Sequence, residues 1–216
     1  MIRSVLLDLD GTLVHSAPGI LASFRKVLGE AGITPVETVD ERVIGPPLMT
    51  TLRRLSGLGD GPQLQAIAAT FRDTYDTHGV LNTQGYPGLI ETLQALGKSR
   101  DSYVVTNKRI VPSRLIADRL GMTILMKGVY SPDALDPPAP NKAAVVAHVL
   151  RVHETAAEES VLVGDSVEDA EAAASHGMRF IAVSYGYGSP LDFTKVAPAA
   201  TLDRLAALPA VLARLD

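Results

Sequence analysis

The segment Ser4-Val-Leu-Leu-Asp-Leu-Asp-Gly-Thr12 determines the predicted fold. Its apolar run, Ser4 to Leu9, is interrupted by Asp8 and followed by Asp10 and a glycine. Short apolar runs that end in small, polar or acidic residues are typical of buried parallel strands that open into loops. The same pattern recurs at residues 102–105 and 160–163, and less regularly at 123–129 and 180–183.

Segments with the apolar period of a helix lie between these strands, at residues 89–96, 112–120 and 142–150. Strand alternating with helix predicts an α/β fold with a doubly wound parallel sheet. The tail from Thr201 onward is predicted to be a closing helix interrupted by Pro209.

Residues 17–83 break this alternation, because they show one helical segment after another with glycine and proline clusters between them. We therefore predict a core domain formed by residues 1–16 and 84–216, and an inserted α-helical cap domain at residues 17–83. Ligands of doubly wound sheets bind beyond the carboxyl ends of the strands, where an insertion after the first strand can cover them. A dimer face is the alternative use of such an insertion.

The composition of the chain limits the chemistry that it can perform and the molecules that it can bind. The 216 residues include no cysteine, which excludes a disulfide, a thiolate nucleophile and a zinc site built on sulfur. The formal charge of -4 provides no broad basic surface for nucleic acid or anionic lipid, so a small-molecule partner is expected. No signal peptide and no apolar run long enough to span a membrane are recognised. We expect a cytoplasmic protein that is a monomer or a homodimer.

Two aspartates at the end of the first strand are the first candidate site residues. Asp8 and Asp10 alternate along the chain, so their carboxylates can lie on the same side, and Gly11 allows a sharp turn after them. Such a pair can hold a magnesium ion, or can divide the roles of nucleophile and proton donor. An Asp-Gly pair on its own is also compatible with simple turn chemistry.

Other strand ends carry polar residues of the same kind. Asp165 follows the strand at residues 160–163, and Asp169 comes one helical turn later. The strand at residues 102–105 ends in Thr106-Asn107-Lys108, and Lys142 opens a helical segment. Acids that can hold a metal, donors that can hold a phosphate and a lysine that neutralises charge together predict a phosphoryl-transfer site.

These motifs resemble those of the haloacid dehalogenase superfamily, in its phosphoglycolate phosphatase-like branch. The motif Asp-x-Asp-Gly-Thr corresponds to residues 8–12, the second motif to Thr106, and the fourth to Gly164-Asp165 with Asp169. The chain departs from the commoner pattern in two places. His15 occupies a position that often holds aspartate, and Pro137-Pro138-Ala139-Pro140 lacks the usual lysine, for which Lys142 is the candidate.

The resemblance implies a mechanism and a role for each motif residue. Asp8 is implied as the nucleophile that forms an aspartyl-phosphate, and Asp10 as the general acid and base. Thr106 and Lys142 are implied to hold and neutralise the phosphoryl oxygens. The implied cofactor is Mg²⁺, bound by the Asp8 carboxylate, the Asp10 backbone carbonyl and Asp165, with Asp169 as a direct ligand or an acceptor for a bound water. The predicted substrate-binding residues are Thr12, His15, Asn107 and Lys108.

The implied substrate is a small phosphorylated metabolite, with phosphoglycolate as the example that the resemblance suggests. The alternatives are a phosphomutase of the β-phosphoglucomutase type and a nucleotide phosphatase of the 5'-nucleotidase type. A phosphorylatable signalling module and a catalytically silent binding protein are less well supported, because Asp8 and Asp10 are both present and a large insertion follows the first strand.

Overall fold

A computed structural model describes residues 1–188 and 196–216 of the protein. The described residues form eight strands, which are β1 (Ser4–Leu7), β2 (Val14–His15), β3 (Gln84–Gly85), β4 (Asp101–Val105), β5 (Gly128–Tyr130), β6 (Ser160–Gly164), β7 (Arg179–Val183) and β8 (Ala200–Leu202). Six of them form a parallel sheet in the order β5-β4-β1-β6-β7-β8, while β2 and β3 form a two-stranded sheet of their own.

The described α-helices are α1 (Ala17–Glu30), α2 (Leu48–Ser56), α3 (Pro62–Thr77), α4 (Leu89–Leu96), α5 (Ile110–Arg119), α6 (Lys142–Val152), α7 (Val167–Ser175) and α8 (Leu208–Leu215). None of them combines the length and the apolar character that a helix needs to cross a bilayer. Helices α4 to α7 alternate with strands β4 to β7 of the parallel sheet. The predicted α/β fold with a doubly wound parallel sheet is therefore confirmed.

The central position of β1 explains its apolar sequence. All four residues of β1 are buried, and the strand pairs with β4 on one side and with β6 on the other. In this register Leu7 lies opposite both Val104 and Val163. Three parallel strands thus end at the same edge of the sheet, and the loops that follow them emerge side by side.

A valine face on α6 fixes that helix against the sheet. Val145, Val146 and Val149 belong to the same buried cluster as Leu6 of β1 and Leu162 of β6. The side chain of Asn141 caps the helix by accepting a hydrogen bond from the backbone N–H of Ala144, over 3.0 Å. The helix cap and the packed valine face together fix the backbone position of Lys142, the first residue of the helix.

Two predicted elements differ from the structure. Residues 123–125 form a short 3₁₀ helix, and the strand predicted at residues 123–129 is found as β5, at 128–130. The tail from Thr201 was expected to be helical, yet residues 200–202 form β8, because parallel pairing with β7 overrides the helix preference of alanine. Pro209 lies in the first turn of α8, where a missing N–H removes no helical hydrogen bond.

The chain divides into two compact units, one formed by Met1–His15 with Gly85–Asp216 and the other by Ser16–Gln84. The first unit contains the parallel sheet. The second is helical, and within it Phe24 of α1 stacks on Phe71 of α3 with ring centroids 4.4 Å apart. That this helical unit serves as a cap stays a prediction.

Candidate active site

The loop after β1 is held by backbone contacts that bring Asp8 to the sheet edge. The Asp8 N–H donates to the carbonyl of Val163 over 2.9 Å, and the Gly11 N–H donates to the carbonyl of Val14, also over 2.9 Å. Gly11 has a φ of 81°, in the left-handed region that favours glycine. A Cβ atom at this position would also overlap the Asp165 carboxylate, so the turn requires glycine for two reasons.

Lys142 lies between two buried carboxylates. Its Nζ atom is 2.7 Å from Asp8 Oδ1 and 2.6 Å from Asp169 Oδ1, and only 4% of the lysine side chain is exposed. Burial lowers the pKa of Lys142, but the carboxylates of Asp169 and Asp8 outweigh it and hold that pKa above its ordinary value. The lysine is therefore a fixed positive charge beside Asp8.

Asp165 completes a group of three buried aspartates. Asp8, Asp165 and Asp169 each offer one oxygen atom, and these atoms lie within 4.8 Å of one another. Burial, with a contribution from the charge of Asp169, raises the pKa of Asp165 to about 6. Burial also raises the pKa of Asp8 well above its ordinary value, against the opposing effect of Lys142. Three carboxylates facing one ammonium leave a local excess of negative charge.

The donor set of this group fits a hard divalent cation. All three ligand atoms are carboxylate oxygens, which is the chemistry that Mg²⁺ prefers. A bound cation would also supply the positive charge that the cluster lacks. The predicted ligands Asp8 and Asp165 are thus brought together, and Asp10 lies two residues beyond Asp8 in the same loop.

Asp169 also accepts hydrogen bonds from Ser166 and Lys142. Its Oδ2 atom accepts hydrogen bonds from Ser166 Oγ over 2.6 Å and from the Ser166 N–H over 3.1 Å, which forms a capping box at the start of α7. Its Oδ1 atom accepts from Lys142. The contacts of Asp169 thus tie the start of α7 to the ammonium of Lys142.

The loop after β4 places three predicted residues at the same edge. The Thr106 N–H donates to the carbonyl of Tyr130 over 3.0 Å, which extends the pairing of β4 with β5. The Thr106 hydroxyl oxygen accepts from the Lys108 N–H over 3.2 Å, and Asn107 is half-buried between them. Lys108 Nζ lies 3.2 and 3.1 Å from the two carboxylate oxygens of Asp10. This loop therefore contacts the first motif directly.

The two remaining predicted residues have different surroundings. Thr12 is fully buried, and its hydroxyl has no hydrogen-bond partner among the described residues. His15 Nδ1 lies 3.2 Å from the Tyr187 hydroxyl, and its ring centroid is 6.2 Å from that of Tyr86. His15 thus belongs to an aromatic cluster that follows the first motif.

The segment Tyr185-Gly186-Tyr187-Gly188 contributes contacts that the sequence did not predict, since its glycines fit an ordinary turn. The N–H groups of Tyr187 and Gly188 donate to Asp165 Oδ2 over 2.6 and 3.3 Å. A Cβ atom on Gly186 would overlap the side chain of Asp165, and one on Gly188 would overlap its carbonyl. Glycine alternating with tyrosine directly after β7 was the available signal, because β7 ends at the same sheet edge.

Fold and site together define a class of protein: a doubly wound α/β enzyme with an aspartate and lysine cluster at the carboxyl edge of its sheet. The sequence profile of the haloacid dehalogenase-like hydrolases matches residues 5–183, and the chain belongs to that family. The resemblance stated from the motifs is thereby confirmed.

Individual relatives agree with this assignment. A 5'-nucleotidase of Pseudomonas aeruginosa is 31% identical over 211 residues, which cover 97% of this chain and 95% of that protein. A phosphoglycolate phosphatase of Pseudomonas fluorescens is 33% identical over 218 residues, covering 95% of this chain and 78% of the relative. A haloacid dehalogenase-like hydrolase of known structure from Streptococcus pneumoniae superposes with a TM-score of 0.85 at 27% identity, covering 100% of this chain and 99% of that one.

Proposed function

We propose that the protein is a magnesium-dependent phosphatase that hydrolyses a small phosphomonoester through an aspartyl-phosphate on Asp8. The observation that carries this proposal is the buried contact between the Lys142 ammonium and the Asp8 carboxylate. A carboxylate attacks an anionic phosphate efficiently only where fixed positive charge offsets the repulsion. Membership of a hydrolase family with phosphatase relatives supports the same reaction.

In the first step, an oxygen of Asp8 forms a bond to phosphorus while the bond from phosphorus to the ester oxygen breaks. The carboxyl group of Asp10 gives its proton to the departing alkoxide. Lys142 holds the Asp8 carboxylate in place and neutralises charge on the transferred group. A bound Mg²⁺, held by Asp8 and Asp165, would supply further charge neutralisation at the phosphoryl oxygens.

In the second step, the oxygen of a water molecule attacks the phosphorus, and the bond between phosphorus and Asp8 breaks. The Asp10 carboxylate takes the proton of that water, which restores its protonated form. The products are inorganic phosphate and the free Asp8 carboxylate. We assign to Thr106 the donation of its hydroxyl hydrogen to a phosphoryl oxygen, because its oxygen already accepts from the Lys108 N–H.

The relatives and the family support a small phosphorylated metabolite as the substrate. The names of the two relatives suggest 2-phosphoglycolate and nucleoside 5'-monophosphates as the first compounds to test. We further propose that the helical unit Ser16–Gln84 is a cap domain whose residues select the substrate. A phosphomutase would use the same residues, and it differs in transferring the phosphoryl group to a second position instead of releasing it.

The test measures inorganic phosphate released from 2-phosphoglycolate, nucleoside monophosphates and hexose phosphates, with Mg²⁺ and with EDTA. Asp8→Asn is expected to lower turnover by about 10³-fold or more, since it removes the nucleophile. Asp203→Asn is the matched control, because that carboxylate is 75% exposed. Magnesium-dependent phosphate release that survives in Asp8→Asn would overturn the mechanism, and release from none of the compounds would overturn the function.

A further inference from the structure

The partner of Asp10 is a lysine from a distant part of the chain. Lys108 Nζ lies 3.2 Å from Asp10 Oδ1 and 3.1 Å from Oδ2, and the two residues are 98 positions apart. Only 7% of the lysine side chain and 13% of the aspartate side chain are exposed. Such a contact is shielded from solvent, so it restrains geometry much more than a surface ion pair does.

The position of Lys108 is fixed by its own loop. The Lys108 N–H donates to the hydroxyl oxygen of Thr106, and the Thr106 N–H donates in turn to the carbonyl of Tyr130 on the neighbouring strand. The turn from residue 106 to 108 is thus tied to the sheet. The lysine side chain leaves this turn toward the loop that follows β1 and reaches Asp10 there.

The backbone and the side chain of Asp10 are held by different parts of the structure. An isolated bridge between Asp10 and Val14, together with the hydrogen bond from the Gly11 N–H to the carbonyl of Val14, fixes the backbone. The ammonium of Lys108 contacts both carboxylate oxygens, which fixes the plane of the carboxylate. Proton transfer requires an oxygen within hydrogen-bond reach of the reacting atom, so orientation of this plane matters for rate.

We infer that Lys108 is a positioning residue that orients the Asp10 carboxylate for proton transfer, and this inference rests on the proposed phosphatase function. The role differs from the substrate contact that the sequence predicts for Lys108. A lysine that binds substrate affects every phosphomonoester to a similar degree. A lysine that orients the proton donor affects a substrate in proportion to its need for that proton.

Two substrates with different leaving groups separate these roles. An alkyl phosphate releases a strongly basic alkoxide and depends on protonation, whereas 4-nitrophenyl phosphate releases a stable phenolate that does not. The ratio kcat/KM reports the steps up to cleavage of the ester bond, so the later attack of water does not mask the difference. The measured quantity is therefore kcat/KM for the preferred alkyl substrate divided by kcat/KM for 4-nitrophenyl phosphate.

The variant is Lys108→Met, which keeps the length of the side chain and removes its charge. General acid catalysis contributes roughly 10²- to 10⁴-fold, so we expect kcat/KM for the alkyl phosphate to fall by about 10-fold or more. For 4-nitrophenyl phosphate the fall should stay within about 3-fold, since little of that rate depends on a proton. Lys108→Arg should recover part of the ratio, because a guanidinium can also donate to both oxygens of a carboxylate.

The matched control is Lys127→Met. The ammonium of Lys127 lies 3.4 Å from a carboxylate oxygen of Asp101, and 60% of the lysine side chain is exposed. This substitution should leave the ratio unchanged. In an Asp10→Asn background, Lys108→Met should change the ratio no further, because the group that it orients no longer transfers a proton. Thermal unfolding of each variant verifies that it is folded, and Lys108→Gln replaces Lys108→Met if the latter does not fold.

Equal losses for both substrates, or no loss for either, would overturn the positioning role of Lys108. So would a full effect of Lys108→Met in the Asp10→Asn background. These outcomes are distinct from failure of the proposed function, in which the unmodified protein releases no phosphate from any substrate.

Discussion

The substitution Lys142→Met tests how much the ammonium of Lys142 stabilises the buried charge cluster. The substitution keeps a long side chain but removes an ammonium that contacts Asp8 and Asp169 oxygens at 2.7 and 2.6 Å. Removing one partner of a buried ion pair costs about 3–5 kcal/mol, because the remaining charge is left buried without compensation. At about 2–4 °C per kcal/mol for a chain of this size, the midpoint of thermal unfolding should fall by about 6–20 °C.

The same reasoning predicts how a divalent cation changes that loss. Without Lys142, the carboxylates of Asp8, Asp165 and Asp169 face one another with oxygens within 4.8 Å. A cation that binds the folded state stabilises it by mass action, and the variant gains more because it has lost its own positive charge. Mg²⁺ should therefore raise the unfolding midpoint of Lys142→Met by more than that of the unmodified protein.

The assay is thermal unfolding at neutral pH, first in EDTA and then in a Mg²⁺ titration. Lys127→Met is again the control, since an exposed pair such as that with Asp101 contributes about 0–1 kcal/mol. A midpoint for Lys142→Met in EDTA that lies within about 2 °C of this control would refute the reasoning, because less than about 1 kcal/mol would then separate a buried pair from an exposed one.

Two further predictions concern the loop around Asp165 and the end of the chain. Gly186→Ala should cost about 1–3 kcal/mol by overpacking, and should raise the Mg²⁺ concentration that half-maximal activity requires, because its methyl group displaces the Asp165 side chain. For Asp216, the Ile2 N–H and then the Arg100 guanidinium hold the pKa of the carboxyl below its usual range. Its contribution to stability is therefore present above the unfolded-state pKa and is lost as the pH falls through the folded-state pKa. Asp216→Asn should be less stable than the unmodified protein at neutral pH, and the difference in urea unfolding should close in acid.

A specific result would contradict each of these two predictions. Gly29→Ala is the control for Gly186→Ala, because an added Cβ there meets open space in α1, and it should be neutral or stabilising by up to about 1 kcal/mol. Gly186→Ala that is as stable and as active as Gly29→Ala would contradict the packing argument. A stability gap for Asp216→Asn that is independent of pH would contradict the electrostatic one.

The predictable parts of the fold are the strands that are buried on both faces of the sheet. A strand covered on both sides needs an unbroken apolar run, and such runs mark β1, β4 and β6 in the sequence. Because parallel strands share one carboxyl edge, finding the runs also predicted that Asp8, Thr106 and Asp165 lie near one another. The short strand β8 was missed, since its pairing with β7 leaves little trace in its own residues.

The contacts that the sequence could not predict depend on backbone donors and on rotamers. Asp165 is held by the N–H groups of Tyr187 and Gly188, and backbone groups have no residue-specific signature. The contact between Lys108 and Asp10 joins positions 98 residues apart and depends on how two side chains turn. The motif pattern could place both residues near the site, but it could not pair them.

The pairing of charges in the cluster supports the position that we propose for the divalent cation. Lys142 contacts Asp8 and Asp169, and Lys108 contacts Asp10, so both lysines of the site are engaged by carboxylates. Asp165, by contrast, accepts hydrogen bonds from two uncharged N–H groups, and its charge has no lysine in direct contact among the described residues. A cation placed between Asp165 and Asp8 would add positive charge beside the carboxylate that contacts no lysine directly among the described residues. It would also leave both lysines in the contacts that the proposed chemistry requires.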